Sequence, residues 1–308
     1  MQTYSYHIPV MLNEALEGLN INPDGVYVDL TFGGGGHSRA ILERLSSCGE
    51  LYAFDKDEDA IKNALDDERF CLIHDDYSNI GKQLRLYRKT KVDGILADLG
   101  ISSHQIDEAE RGFSTNKSAP LDLRMDRRNS LMASDIVNTY DKEQLKFIFK
   151  TYAELSNSGL LADRIVRQRE EKSIETTSDL IEIIEPLALK GRENKYYAKV
   201  FQALRIEVNN ELKNLEDMLL QCASLLKEGG RLVIISYHSL EDRLVKNLLK
   251  SGNTQGKVEK DFYGNVISPY KIITRKPLQA SEEEIMNNPR SRSAKLRVGE
   301  KIGGGNNG

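Results

Sequence analysis

The 308-residue chain is 39% hydrophobic and 29% charged, enough for one large core or a core plus a smaller domain. A net charge of −4 and a pI near 5.9 exclude nucleic-acid binding by bulk charge, and no apolar run approaches the roughly 20 residues that cross a bilayer. The opening MQTYSYHIPVML lacks the pattern of a signal peptide, and Cys48, Cys71 and Cys222 stand far apart without CxxC spacing. A cytoplasmic protein without disulfides or a bound metal is expected.

In chain order, Val10 to Leu19 predicts a leading helix that breaks at Asn22-Pro23-Asp24-Gly25. An apolar strand (Val26, Val28, Leu30) feeds four glycines, Gly33 to Gly36, and a helix from His37 to Leu45. A second strand (Leu51, Ala53, Phe54) stops on Asp55, and a helix spans Asp57 to Leu65. Arg69 to His74 is a third strand, followed by Asp75-Asp76-Tyr77 and a helix to about Tyr87. Val92 to Asp98 is a fourth strand, again ending on an acid. Strands alternating with helices predict a parallel sheet whose ligand lies beyond the carboxyl ends of the strands. Gly33 to Gly36, Asp55, Tyr77 and Asp98 all fall there.

After Asp98 the alternation stops. A loop-like stretch ends in the basic cluster Arg124, Arg127 and Arg128, and helix patterns follow. Leu145, Ile148, Phe149 and Tyr152 form one apolar face, a second helix covers Leu160 to Glu170, and Asp179 with Glu182 suits a capping box for a third. The α/β pattern resumes with a leucine stripe from Leu204 to Leu226, read as one long helix closed by Gly229-Gly230. A strand from Arg231 to Tyr237, a helix from Leu240 to Lys250, a turn at Tyr263-Gly264-Asn265 and a last strand from Tyr270 to Arg275 follow. Ser281 and Glu284 offer another capping box.

The glycine loop narrows the ligand. A pyrophosphate loop requires G-x-G-x-x-G, and Arg39 occupies the place of the third glycine. The mismatch favours a nucleoside cofactor without pyrophosphate, such as S-adenosylmethionine, over a nicotinamide dinucleotide. Asp55 can accept two ribose hydroxyls or can cap the next helix. Tyr77 can cover an adenine face or fill the core. Asp98 stands where chemistry would occur, with Ser102, Ser103 and Gln105 in the following loop. His238 in SYHSLEDR lies past the fifth strand, but no G-x-S-x-G elbow supports a hydrolase.

TFGGGGHS, AFDKD, DLGISSHQID, ERGFS, PLDLRMD, FQALRIEVNNEL, ISYHSLEDR and NPRSRSAKLR occur in order along residues 5–300. On these blocks the chain resembles the ribosomal RNA small-subunit methyltransferase H family, also called MraW. The resemblance implies an α/β fold: a class I S-adenosylmethionine-dependent methyltransferase, Rossmann-like, with a seven-stranded mainly parallel sheet and an inserted all-helical domain. The methyltransferase parts would cover 1–106 and 201–302, the substrate-recognition insertion 107–200, and a disordered tail 303–308. It further implies methylation of the exocyclic N4 of a decoding-centre cytidine in 16S rRNA whose ribose another enzyme 2′-O-methylates. The partner would be 16S rRNA, within the small ribosomal subunit; a homodimer is compatible with the sequence.

By motif position, cofactor contacts fall on Gly35, Gly36, His37, Asp55, Tyr77, Asp98 and Gln105, with Asp98 the candidate catalytic group. Gly34, His104 and Tyr77 depart from the family's common residues, the last keeping an aromatic ring. DNA amino-methyltransferases carry a proline pair and an aromatic after the fourth strand; Asp98-Leu99-Gly100-Ile101-Ser102-Ser103 has neither. Candidate RNA contacts are Arg111, Arg124, Arg127, Arg128, His238, Arg290, Arg292, Lys295 and Arg297. A nicotinamide-dependent oxidoreductase and a ribosome-assembly factor with a vestigial site are the other readings.

Overall fold

A computed structural model describes residues 9–303; the expected tail therefore lies outside the described residues apart from Gly303. The chain divides into two compact units, Met1–Gly100 with Leu212–Gly308, and Ile101–Glu211. Among the described residues no helix is long and apolar enough to cross a membrane.

The first unit opens with α1 (Leu12–Leu19), β1 (Val26–Asp29), α2 (Gly36–Leu42), β2 (Glu50–Asp55) and α3 (Glu58–Ile61). It continues with β3 (Phe70–His74), α4 (Ile80–Leu86) and β4 (Val92–Asp98). The second unit then supplies α5 (Ser103–Asp107), α6 (Ala133–Thr139), α7 (Lys142–Thr151), α8 (Ser158–Glu171), α9 (Thr177–Ile184) and α10 (Glu193–Asn209). After α11 (Glu211–Leu225) come β5 (Leu226–Ser236), α12 (Ser239–Ser251), β6 (Tyr270–Ile272), α13 (Glu282–Asn287) and β7 (Lys295–Lys301).

The seven strands form one sheet in the order β3-β2-β1-β4-β5-β7-β6. β1 to β5 pair in parallel, and β7 runs antiparallel to both β5 and β6. Strands buried on both faces need continuous apolar runs, because successive side chains leave on opposite sides. Along β5, Leu232 and Ile234 join Ile80, Leu84, Leu215, Leu219 and Leu248 on one face. Val233 and Ile235 join Leu16, Leu19 and Ile41 on the other. At Gly18 of α1 a Cβ would lie 2.9 Å from Val298 Cγ2, so glycine lets this helix sit close on the sheet.

β7 is absent from the residue-by-residue reading, although the family resemblance implied seven strands. Its charged residues hide it: Arg297 is buried, and its Nε donates to Asp242 Oδ1 at 2.6 Å. Pairing of this kind is what a buried charge requires. The single long helix expected from Leu204 to Leu226 is two helices and the start of a strand. Asn210 takes a left-handed φ of 50° and its N–H caps Glu207 and Ile206, ending α10. Leu226 already pairs with Val92 of β4, and Gly229-Gly230 fall in a register shift inside β5 rather than beyond a helix.

The helical unit has its own core, in which Leu121, Ile136, Phe149, Leu161, Ile165, Leu180 and Leu204 are fully buried. The apolar face expected on α7 is observed: Leu145, Ile148 and Phe149 are buried and Tyr152 packs against them. α9 is capped three residues earlier than expected. Thr176 is the N-cap and Asp179 its reciprocal partner in the capping box. α10 runs unbroken across residue 200, where the pattern placed the end of the insertion.

Candidate active site

In open α/β sheets ligands bind where the strand order reverses, at the carboxyl ends. Here that point lies between β1 and β4. Phe32 N–H bonds Phe54 O at 2.9 Å and Leu30 N–H bonds Leu96 O at 2.8 Å, which carries the chain from β1 into the glycine loop.

Two loop glycines are needed for their backbone. Gly33 and Gly35 have φ of 52° and 75°, where an L side chain is strained. At Gly35, the N-cap of α2, a Cβ would also strike the Phe32 ring at 2.9 Å. At Gly33 and Gly34 it would meet nothing within 4 Å, so the loop surface there is open. Gly35→Ala is expected to lower stability by about 1–2 kcal/mol, the strain of a left-handed residue, whereas Gly34→Ala should be near neutral; urea unfolding of both compares them.

Asp55 is not a helix cap; Asp57 caps α3 by accepting Asp59 N–H. Asp55 Oδ2 accepts Gly33 N–H at 2.8 Å and Oδ1 accepts Asp57 N–H at 2.9 Å. Each oxygen keeps a second lone pair for a hydroxyl. Burial pushes this carboxyl up to about 6, against the two backbone bonds and Lys56 that favour the charged form. Tyr77 begins a 3₁₀ turn after β3, partly buried, with Lys56 Nζ 5.8 Å from its ring centre. Lys56 in turn bonds Asp76 at 3.1 Å. Burial raises Asp76, but Lys56 and the Ser78 bonds outweigh it, and the carboxyl lies below its usual range.

Asp98 ends β4 with its side chain 21% exposed. Tyr237 O–H donates to its Oδ1 at 2.7 Å, and His37 Nδ1 lies 4.0 Å from Oδ2. His37 is buried, and its Nε2 donates to Val10 O at 3.1 Å, which turns Nδ1 toward the acid. Thr31 Oγ1 accepts Asp98 N–H at 2.6 Å. Asp29, at the end of β1, is buried and accepts Ser38 O–H at 2.7 Å. Burial pushes Asp98 up to about 6; His37 and Tyr237 favour the charged form, while Asp29 and Glu241 oppose it. A carboxylate of that basicity is a better proton acceptor at neutral pH than an exposed aspartate.

The structure thus gathers Gly35, Gly36, His37, Asp55, Tyr77 and Asp98 at one edge of the sheet. Gln105 belongs to the helical unit, where it is buried and forms a reciprocal capping box with Ser102 at the start of α5. His238 is the N-cap of α12: its Nδ1 accepts Glu241 N–H and its Nε2 lies 3.2 Å from Glu241 Oε1. Sequence reasoning missed Thr31, Asp29 and Tyr237. An acid ending β1 repeats the signal that marked Asp55 and Asp98; Tyr237 at the end of an apolar strand reads as core.

The basic candidates divide sharply. Arg111 is 1% exposed and its Nη2 donates to Arg124 O at 3.1 Å and Met125 O at 2.9 Å. That burial corrects its reading as an RNA-facing residue. Arg111→Ala is expected to destabilise the helical unit by about 2–4 kcal/mol, since one buried and one part-buried carbonyl lose this donor and a cavity opens; urea unfolding measures it. Arg124 is held by Asp122 and by the carbonyls of Arg127 and Asn129. Arg127 and Arg128 are exposed, the latter paired with Asp126. Lys295 and Arg297 lie on β7 facing Asp242, while Arg292 is exposed and Arg290 half-buried in the turn before it.

Five parallel strands in the order 3-2-1-4-5, an antiparallel β7 before β6, and acids at three strand ends define a Rossmann-like class I S-adenosylmethionine-dependent methyltransferase fold. A sequence profile of the MraW methylase family matches residues 4–302, and the chain belongs to that family. Ribosomal RNA small subunit methyltransferase H of Phocaeicola vulgatus is 54% identical over 296 residues, covering 96% of this chain and 97% of that protein. The protein of the same name from Parabacteroides distasonis is 53% identical over 298 residues, covering 96% and 98%. Among solved structures, an rRNA methylase from Streptococcus thermophilus is similar with a TM-score of 0.38 at 14% identity, covering 98% of this chain and 100% of that one.

Proposed function

We propose that this methyltransferase uses S-adenosylmethionine to methylate 16S rRNA of the small ribosomal subunit, at the exocyclic N4 of a decoding-centre cytidine. The family match over nearly the whole chain, with relatives named for small-subunit rRNA, is the observation that carries the substrate class. The N4 position and the 2′-O-methyl made by another enzyme follow from the motif resemblance set out above.

The residues present fit the cofactor. The open surface at Gly33 and Gly34 admits a ligand against the backbone, Asp55 has lone pairs for a ribose diol, and the Tyr77 ring offers an adenine a flat face. When bound, S-adenosylmethionine supplies an electrophilic methyl on a sulfonium that departs as a neutral thioether. The cytosine amine is a weak nucleophile, since its lone pair is conjugated with the ring. Asp98 accepts one amine hydrogen, which aligns the nitrogen and takes the proton released as the nitrogen–carbon bond forms. Tyr237 holds Oδ1, leaving Oδ2 for that proton. The base must leave its stack to reach this edge.

Labelled S-adenosylmethionine offered with free rRNA, assembled small subunits and DNA, followed by nucleoside mass spectrometry, tests the reading. N4-methylcytidine in the RNA arms supports it; label in DNA or at another atom overturns it. Arg127→Glu and Arg292→Glu should weaken RNA binding while leaving cofactor affinity unchanged. Each lost phosphate contact should flatten the slope of log affinity against log salt by about one. A salt titration of filter binding reads this, and unchanged slopes would remove both residues from the interface.

A further inference from the structure

Between α12 and β6 the chain makes an excursion that neither the sheet nor the site explains. Lys260 and Val266 pair antiparallel, Ile267 N–H bonds Glu259 O at 2.8 Å, and Asp261 N–H bonds Asn265 O at 2.9 Å. The result is a short hairpin. Its tip is fixed by Asp261, whose Oδ1 accepts the N–H groups of Tyr263 and Asn265 at 2.9 and 2.8 Å, and by Gly264 at φ 87°. Its base is tied down where Ser268 O–H bonds Leu249 O at 3.1 Å.

That built turn holds two aromatic rings in solvent. Phe262 is 97% exposed and Tyr263 86%, their centroids 5.7 Å apart and their planes nearly perpendicular. Val258, Val266 and Ile267 on the same hairpin are also exposed. Contiguous exposed apolar groups mark interaction sites, whereas scattered ones do not. The charge of the segment selects the partner. In a chain of net charge −4, residues 257–276 carry exposed Lys257, Lys260, Arg275 and Lys276 against Glu259 and Asp261, with Lys271 paired to Glu300 at 3.6 Å. Asp261 is committed to the turn.

We infer that the hairpin tip is an RNA contact, with Phe262 and Tyr263 stacking on unpaired bases and the basic residues of the same segment meeting phosphates. The inference rests on the rRNA reading above. Aromatic faces in a basic frame are how single-stranded RNA is held without sequence readout, because every base offers a π-face. Perpendicular rings cannot both stack on one base, so the tip engages two nucleotides, or one face-on and one at its edge.

The chain has no tryptophan, so Phe262→Trp creates a single fluorescent reporter that keeps a stacking ring. Its emission should be quenched by small-subunit rRNA and by short single-stranded RNA. The double variant Phe262→Ala/Tyr263→Ala should raise KM for RNA about ten- to hundredfold. Its kcat, cofactor affinity and unfolding midpoint should stay unchanged. An unquenched tryptophan together with an unaltered KM overturns the inference. So does a double variant impaired only on assembled subunits and bound normally by free rRNA, which would assign the tip to a protein. A double variant that dissociates a dimer without loss of RNA affinity overturns it as well. Quenching is read without methyl transfer, so failure of wild-type protein to methylate any RNA would defeat the proposed function separately.

Discussion

Asp98→Asn should yield a protein that is more stable than wild type at pH 8 and nearly inactive. The folded carboxyl keeps its proton up to about 6 because burial disfavours its charge, whereas an unfolded aspartate releases it near 3.9. Folded protein therefore holds the extra proton between these values, and stability falls as pH rises through that window. Above about 6 the full penalty persists, on the order of 1–3 kcal/mol. Asparagine escapes it with little loss of contact. Its oxygen can still accept the Tyr237 O–H, and the side chain keeps its shape.

The stability advantage of Asp98→Asn should thus be largest at pH 8, shrink below pH 6 and vanish near pH 4, as urea unfolding across pH would show. An amide cannot take the amine proton, so kcat at saturating cofactor and RNA should fall about 10²–10⁴-fold, the usual contribution of a positioned base. Full turnover under those conditions would end the assignment of Asp98 as the proton acceptor. An unchanged pH–stability curve would show that its burial carries no penalty. Stability lost to a site and recovered when its function is removed is a general trade-off. Among the described residues, His37 from α2 and Tyr237 from just past β5 favour the charge of this carboxylate, and Asp29 from β1 and Glu241 from α12 oppose it.

What could be read from sequence follows the same physics. β4 was legible to the residue, since VDGILAD is an apolar run closed by an acid and nothing in it opposes the pattern. β7 was not, because its burial depends on Asp242, fifty-five residues away from Arg297, neutralising a charge that reads as surface. Local periodicity cannot show a partner that only the fold brings near. The break at Asn210 had a local signal, an asparagine suited to a left-handed cap, but the leucine stripe continuing past it in the same phase concealed it. Of the site, the glycines and the acids at strand ends were visible because a strand terminus announces itself. Tyr237 was invisible because it directly follows an apolar strand and reads as part of it, while only its hydroxyl reaches the site. Arg111 shows the reverse error: an arginine in a loop looks exposed until its guanidinium is found holding the backbone of Arg124 and Met125.

Asp55→Ala should abolish cofactor binding more completely than any other single change at this edge. Two charge-assisted bonds to a ribose diol contribute about 1.5–3 kcal/mol each, and the loss also frees Gly33 N–H, which Asp55 Oδ2 fixes beside the Phe32–Phe54 backbone bond. Calorimetry with S-adenosylhomocysteine should show affinity weakened about 10²–10⁴-fold. Asp55→Asn should be nearly as damaging. Both oxygens already accept backbone N–H groups, so an amide must set an NH₂ against either Gly33 or Asp57. This separates Asp55 from Asp98, where asparagine is tolerated by its neighbours. In wild type, affinity should hold steady above pH 6 and decline by about tenfold per unit below it, because the free carboxyl takes up its proton near 6 and a protonated acid no longer accepts two hydroxyls. An affinity flat from pH 7 to pH 5 would mean that the ribose is held elsewhere.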